Sequence, residues 1–271
     1  MNNEYICYKN EEASILKYID SHFEDIALSL GAEIFHIPAL IESSVLQKCG
    51  YFRSFPHHLT LASYYDPLAY EEIANSGDLK PSQIRNSNLY FTPAACLHCY
   101  PMLENETIDK KVLTTRARVY RYENNRFNGK TRIWDFTVRE IVFVGTPEFV
   151  NNGLNAMKQH ALDFMREIGL KGELKKASDH FYPSKVNDMK GKIQLSNSLK
   201  DELICNVDNV ETAIASFNTH GNHFSKPFNF DSSGAIVSGC VGFGLERWIA
   251  AIKAQDLTGE VYNICKKVLT K

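Results

Sequence analysis

Two arginines, two carboxylates and several aromatic residues recur at strand spacing in the middle of the chain. Residues 116–123 and 132–145 are rich in β-branched and aromatic side chains, and Asn124 to Thr131 between them includes Asn125, Asn128 and Gly129. This pattern predicts a long hairpin. Alternation places Arg121 and Glu123 on one face of the first strand and Arg132, Phe136 and Glu140 on one side of the second, with Trp134 between them. Such a set suits a nucleoside triphosphate. Guanidinium groups pair with phosphate, an aromatic face stacks on a base, and acids organise a cation or a substrate amine. The same residues would also serve as a solvated face of cross-strand ion pairs.

A second chemical segment is Gly239-Cys240-Val241-Gly242-Phe243-Gly244-Leu245-Glu246-Arg247, a glycine-rich strand end that leads into a helix with an arginine in its first turn. Glycines permit close backbone approach, and a helix N-terminus beside a guanidinium favours an anion. The segment is not a Walker loop, and glycines before a helix also serve tight packing. The seven cysteines are odd in number and scattered, which predicts mostly reduced thiols. Cys7, Cys49, Cys205 and Cys265 read as small buried hydrophobes. Cys96-x-x-Cys99, with His98, is a possible local metal pair that lacks a second pair to complete it.

The elements that must hold these residues interleave helix and strand. Ile15, Leu16, Ile19, Phe23, Ile26 and Leu30 lie at helical spacing over residues 11–30, with Gly31 as the C-terminal cap. A second helix is expected from Ala39 to Cys49, after Pro38 and closed by Gly50. Thr146-Pro147-Glu148 starts a helix that runs to about Ile168 and stops at Gly169. Ala235 to Val241 reads as a short strand, Gly244 to Gln255 as a helix, and Lys185 to Glu202 as a solvated helix or loop. The fold class expected is α+β with an antiparallel sheet flanked by helices.

Composition sets the outer limits. The 271 residues carry 30 Lys+Arg against 32 Asp+Glu, a formal net charge of −2, without the basic excess of a dedicated nucleic-acid binder. Hydrophobic residues at 44% and charged residues at 23% exclude disorder, a coiled coil and a collagen-like fibre. No linker separates two domains, so residues 1–271 are expected to form one catalytic domain. Met1-Asn2-Asn3-Glu4 lacks the basic region of a leader, and no apolar run is long enough to span a membrane, so a cytoplasmic protein is expected.

Taken together, the motifs resemble those of the class II aminoacyl-tRNA synthetases. The hairpin matches motif two, Arg-x-Glu, loop, Arg-x-x-x-Phe-x-x-x-Glu. The glycine segment resembles motif three ending at Arg247, and Pro38 sits where motif one belongs. Gly50-Tyr51-Phe52-Arg53-Ser54-Phe55-Pro56 and Thr92-Pro93-Ala94-Ala95-Cys96 look specifically like the short seryl-synthetase-like amino acid:[carrier protein] ligases. The resemblance runs from about Phe35 to Gln255.

It implies a Zn2+ held by Cys96, Glu140 and Cys240, whose open fourth position would take a substrate's neutral α-amine. It also implies ATP and Mg2+. Arg121 would bind the α-phosphate and the reacting carboxylate, Glu123 the adenine side of ATP, and Arg247 the γ-phosphate. Arg132 and Ile133 would line the nucleotide, and Phe136 would stack on adenine. Asp179 would help hold the amine, and Ser216 and Asn218 would line the amino-acid pocket. One departure stands out: the acid that synthetases keep three residues before this serine is Ala213 here, and Glu211 is the candidate magnesium ligand in its place. His57, His58, His220 and His223 read as surface or packing residues, because adenylation starts from an already ionised carboxylate.

The reaction implied is activation of a small amino acid, glycine or alanine, as aminoacyl-AMP, followed by transfer to the phosphopantetheine thiol of a carrier protein. A homodimer is implied by motif one, with no nucleic acid and no membrane among the partners. The alternatives are a seryl-type enzyme charging tRNA and a non-catalytic paralogue that binds nucleotide or amino acid. Residues 1–35 offer one amphipathic helix and no coiled-coil arm, which weighs against the first.

Overall fold

The computed structural model describes residues 7–230 and 234–269, so Met1 to Glu4, the stretch read as lacking a leader, lies outside the described residues. In chain order the elements are α1 (Asn10–Ser29), β1 (Glu33–Ile34), β2 (Leu40–Glu42), α2 (Ser43–Lys48), α3 (Tyr51–Ser54), β3 (Leu61–Tyr65), α4 (Tyr70–Ser76), β4 (Ile84–Phe91), α5 (Cys99–Met102) and β5 (Lys111–Tyr120). They continue with β6 (Asp135–Gly145), α6 (Pro147–Glu167), β7 (Glu173–Lys176), α7 (Lys185–Ser196), β8 (Lys200–Val207), β9 (Val210–Gly221), β10 (Val237–Gly244), α8 (Leu245–Ala254) and α9 (Thr258–Leu269). The large sheet has the order β1-β5-β6-β10-β9-β8-β7, and a small sheet has the order β2-β4-β3. Every pair is antiparallel except β1 with β5. The expected antiparallel sheet is therefore mixed at one edge. The whole small sheet intervenes between β1 and β5, and a long crossover of that kind can deliver a parallel neighbour where a tight hairpin cannot.

Alternation sends the two faces of the large sheet to different tasks. Ile141, Phe143, Phe217, Val241 and Phe243 face α1, α6 and α8 and form the main core with Phe23, Leu154, Phe164 and Trp248. Phe23 stacks on Phe243 with ring centroids 3.7 Å apart. Thr146 caps α6 by accepting from the Phe149 N–H, and Pro147 opens the helix, as the sequence predicts. Close approach of this helix needs Gly239, because a Cβ there would lie 2.9 Å from Val150 Cγ1 and 3.0 Å from Leu154 Cδ1. Arg139 also points to this side, buried, where Asp20 at 2.7 Å and Glu24 at 2.9 Å neutralise it.

On the opposite face, Leu113, Val142, Val144 and Cys240 meet Cys96, Leu97, Tyr100 and Phe228 in a second, smaller core. Beyond this core the same face presents the polar residues of the candidate site.

Several boundaries differ from expectation. The helix expected from Ala39 begins only at Ser43, because residues 40–42 pair with Leu89 to Phe91 of β4 and that tertiary pairing outweighs local helical preference. Arg121, Glu123, Arg132 and Ile133 lie outside the β5–β6 ladder, so strand alternation does not place them. The chain leaves the ladder after the Arg121 N–H donates to Trp134 C=O, and Asn128 Oδ1 then accepts from the N–H groups of Lys130, Thr131 and Arg132. The stretch read as solvated from Lys185 to Glu202 is so only in α7. Lys200 opens β8 and is buried. Cys7, read as buried, is exposed, whereas Cys49, Cys205 and Cys265 are buried.

Candidate active site

Strand pairing builds the first half of the site. Glu140 on β6 lies opposite Gly242 on β10, and Cys240 lies two residues before Gly242 on the same face. A Cβ at 242 would stand 3.0 Å from Glu140 Oε2, so glycine makes room for the carboxylate. Cys96, from the turn after β4, completes a buried group in which the ligand atoms of Cys96, Glu140 and Cys240 all lie within 4.8 Å of one another. Two sulfurs and one carboxylate oxygen are a donor set suited to zinc with one position left for a ligand.

The electrostatics of this group are those of acids crowded together out of water. Burial raises the Glu140 carboxyl to about 7, although hydrogen bonds with Cys240 and Cys96 and the Arg121 charge pull the other way. The Cys240 thiol is driven well above its ordinary value by its hydrogen bond with Cys96, by burial and by Glu140. Cys96 is lowered by the same sulfur contact but raised on balance by burial and Glu140. A cation would remove this mutual penalty. His220, read as a surface or packing residue, instead has Nε2 3.5 Å from Cys240 Sγ, with Nδ1 near Tyr100 Oη (3.0 Å) and Ser238 Oγ (3.2 Å). Asn218 also donates towards Cys240 Sγ at 3.6 Å.

The second half of the site is a cluster of guanidinium groups. Arg247, in the first turn of α8, donates from Nε to Thr131 C=O at 2.9 Å and from Nη1 to Ala213 C=O at 3.0 Å. Its pKa falls to about 10 through burial and through repulsion by Arg132 and Arg121, with Glu123 and Glu202 acting in the opposite sense. Arg121 is fixed by donation from Nε to Pro93 C=O at 2.8 Å, and its guanidinium lies 5.4 Å from the Phe136 ring centre. Arg132 Nη1 is 3.8 Å from the buried Glu123. Three guanidiniums that repel one another mark a place for a multivalent anion. A narrow cleft lined by Thr131, Ile133, Phe136, Gly244, Glu246 and Arg247 runs beside them. A wider cavity of about 330 Å³ opens past Glu123, between His57 and His58 on one side and Tyr122 and Arg126 on the other.

The remaining sequence candidates divide. Ser216 and Asn218 point to the site face of β9, and Asn218 Nδ2 donates to Ser216 Oγ at 3.3 Å. Asp179 is drawn in by Lys200, whose ammonium lies 2.6 Å from Oδ1, and Gln194 donates to Oδ2 at 2.8 Å. Burial alone would raise the Asp179 carboxyl, but Lys200, with help from Gln194 and Arg121, holds it below its ordinary value. Glu211 is not brought in. Its exposed carboxylate meets Lys175 at 2.5 Å at the outer end of β9.

Sequence reading missed Lys200, His220 and Tyr51, a buried residue electrostatically coupled to Arg121, Asp179 and Cys96. The apolar alternation that follows Lys200 was the available signal for the first. Tyr51 stood within the quoted motif without a role, and His220 carries no local signal.

The buried imidazoles give a pH dependence with a definite sign. Burial lowers His98 and His220 to about 4, and burial with the Arg121 charge lowers His58 to about 3. Folded, these rings stay neutral, whereas unfolded they bind a proton near pH 6.5. Their contribution to stability is full above pH 6.5 and is lost as pH falls towards 4. Glu140 works the other way: its raised pKa favours the fold below about pH 4.5, and that contribution is withdrawn as pH climbs to about 7. His22, His57 and His180 are lowered as well and Glu246 is raised, so with six rings against two carboxyls the urea midpoint of metal-free protein is expected to drop between pH 7 and pH 5. The drop should shrink in His98→Gln, and an unchanged difference would show that His98 stays charged in the fold.

No protein-family model matches the chain. It is 28% identical over 255 residues to amino acid–[acyl-carrier-protein] ligase 1 of Bradyrhizobium diazoefficiens, a match covering 90% of this chain and 76% of that protein. It is 25% identical over 279 residues to the type-2 serine–tRNA ligase of Methanococcus aeolicus, covering 90% of this chain and 53% of that protein. The chain thus spans about half the length of that serine–tRNA ligase. Among solved structures, the M. kandleri seryl-tRNA synthetase crystallised with A. aeolicus tRNASec superposes with a TM-score of 0.77 at 20% identity, over 93% of this chain and 55% of that one. The Giardia lamblia prolyl-tRNA synthetase with prolyl-adenylate gives 0.62 at 12% identity, over 89% and 45%. The chain therefore has the α+β fold of the class II aminoacyl-tRNA synthetases and counts amino acid–[acyl-carrier-protein] ligases and type-2 serine–tRNA ligases among its homologues.

Proposed function

We propose that this chain activates a small amino acid, glycine or alanine, with Mg·ATP and passes it to the phosphopantetheine thiol of a carrier protein. In this reading residues 1–271 form one catalytic domain that works as a homodimer in the cytoplasm. The observation that carries it is the meeting, on one sheet face, of the Arg121, Arg132 and Arg247 guanidiniums beside Phe136 with the buried Cys96, Glu140 and Cys240 group. The first set suits a triphosphate and its base, the second a metal that selects an amine.

Each residue then has a definite task. The amino acid's carboxylate oxygen attacks the α-phosphorus, the bond to the β-phosphate oxygen breaks, and pyrophosphate leaves with that electron pair. Arg121, held by Pro93, would neutralise charge at the α-phosphate, and Arg247 would hold the terminal phosphate. Phe136 would stack on adenine, Glu123 would face its amino group, and Arg132 and Ile133 would line the nucleotide. Zn2+ on Cys96, Glu140 and Cys240 would supply a Lewis-acid site for the neutral α-amine. Asp179, steadied by Lys200, would face the amine from the other side, and Ser216 and Asn218 would line the pocket. The carrier thiol then attacks the aminoacyl carbonyl, AMP leaves, and the thiol proton passes to solvent.

The carrier protein as acceptor is supported by two homologues named amino acid–[acyl-carrier-protein] ligases, each 28% identical, one of them matched over 76% of its own length. The test is incubation with labelled glycine or alanine, ATP and either a phosphopantetheinylated carrier protein or total tRNA. The expected result is label on the carrier, absent when the carrier lacks its prosthetic group and released by hydroxylamine. Label on tRNA with none on any carrier would overturn the assignment.

A further inference from the structure

The register between β8 and β9 turns a second carboxylate towards the guanidinium cluster. Glu202 on β8 pairs with Ser216 on β9, so their side chains leave the same face of the sheet. Asp201, one residue earlier, faces the helices instead, with its carboxylate 2.6 Å from Lys158 of α6. Glu202 Oε1 lies 3.0 Å from Lys200 Nζ, and the Glu202 charge bears on Arg247 and on His180. A carboxylate offers about four lone-pair sites on two oxygens, so one contact to Lys200 leaves capacity for a cation.

The two positions that sequence reasoning considered for a cation ligand do not meet the need. Ala213 has no ligand atom in its side chain. Ile204 pairs with Ala213 and Leu203 with Ala215, so Ile214 is an additional residue in β9. This bulge keeps Ala213 and Ser216 on one face although they stand an odd number of positions apart, with two residues between them, and Arg247 binds the Ala213 carbonyl there. Glu211, farther along, spends its carboxylate on Lys175 at 2.5 Å in an exposed position. Mg2+ bound with a nucleotide takes phosphate oxygens, several waters and one or two protein carboxylates. The carboxylate on the Ser216 rung, near the arginine assigned to the terminal phosphate, is Glu202.

We propose that Glu202, with Ser216 opposite it, supplies the protein carboxylate for the divalent cation that ATP carries into this site, and that Lys200 fixes it in position. Glu202 then takes over from the next strand the task that Ala213 cannot perform. The assignment rests on the ATP-dependent reading given above and goes beyond it by naming the residue and the strand.

The test is Mn2+ binding to the full chain with a non-hydrolysable ATP analogue, followed by electron paramagnetic resonance, with analogue binding in chelator measured alongside. Glu202→Gln is expected to weaken Mn2+ binding in the ternary complex at least about tenfold, with analogue affinity in chelator unchanged within about twofold. Glu211→Gln is expected to leave both unchanged. Because Glu202→Gln removes one of the two partners of the buried Lys200, Glu202→Asp keeps the charge and should weaken Mn2+ less than Gln does. Adding Ala213→Glu to Glu202→Gln should restore binding. Unchanged Mn2+ affinity in Glu202→Gln, or a loss in Glu211→Gln instead, would overturn the assignment. Failure of the unmodified chain to bind the analogue at all would overturn the ATP-dependent reading itself, a distinct result.

Discussion

Replacing Cys96 or Cys240 by Ser, or Glu140 by Gln, is expected to remove stoichiometric zinc from the protein and to lower amino-acid-dependent ATP/pyrophosphate exchange about 10³-fold. The size follows from the several kcal/mol that a catalytic metal contributes to charge stabilisation and orientation, about 4 kcal/mol for a factor of 10³. The three ligand atoms already lie within 4.8 Å of one another, burial raises all three acids, and the Glu140 charge raises both thiols further. Removing one ligand therefore relieves crowding in the metal-free fold, and the variants should remain folded by circular dichroism while losing metal. Cys99→Ala is the discriminating control. Cys99 is buried one helical turn from Cys96 but is not part of the three-residue group, so its variant should keep zinc. Zinc lost from Cys99→Ala and kept in Cys240→Ser would favour the local Cys96-x-x-Cys99 pair and contradict the site described.

The second large effect concerns the guanidiniums. Arg121→Lys and Arg247→Lys are each expected to lower the maximal exchange rate about 10²- to 10³-fold, the usual consequence of removing one preorganised donor aimed at transition-state charge. Lysine keeps the charge but cannot reproduce the planar fork. Arg247 uses two of its nitrogens on Thr131 and Ala213 carbonyls, and Arg121 uses one on Pro93, so each guanidinium is aimed before substrate arrives. Steady-state exchange on purified variants, with thermal melts alongside, separates loss of aim from loss of fold. Arg116→Lys, on the helix side of the sheet, should be silent. Full activity in Arg247→Lys would remove that residue from the mechanism.

The sequence was most legible where one element carries the information alone. α6 is announced by Thr146, Pro147 and Gly169, and the face shared by Phe136 and Glu140 follows from strand alternation within β6. The group of Cys96, Glu140 and Cys240 is not legible from spacing, because its members come from a turn, β6 and β10, and the β6–β10 register together with the turn after β4 brings them together. It entered through family resemblance. Strand alternation assigns Arg121 and Arg132 to sheet faces, but both lie outside the β5–β6 ladder. Loop hydrogen bonds to Pro93 and Asn128, not strand alternation, determine where they sit. Lys200 reads in the sequence as a solvated charge because nothing local states that Asp179 and Glu202 will neutralise it in a buried position. The bulge at Ile214 was equally invisible, and it decides which residues of β9 face the site.

The most direct measurement is ATP/pyrophosphate exchange with each of the twenty amino acids in turn, on protein whose metal content is determined in the same preparation. Exchange with one or a few small amino acids, and about one zinc per chain, is expected. No exchange with any amino acid, from protein that carries its zinc, would contradict the proposed activity and leave a nucleotide- or amino-acid-binding paralogue as the better description.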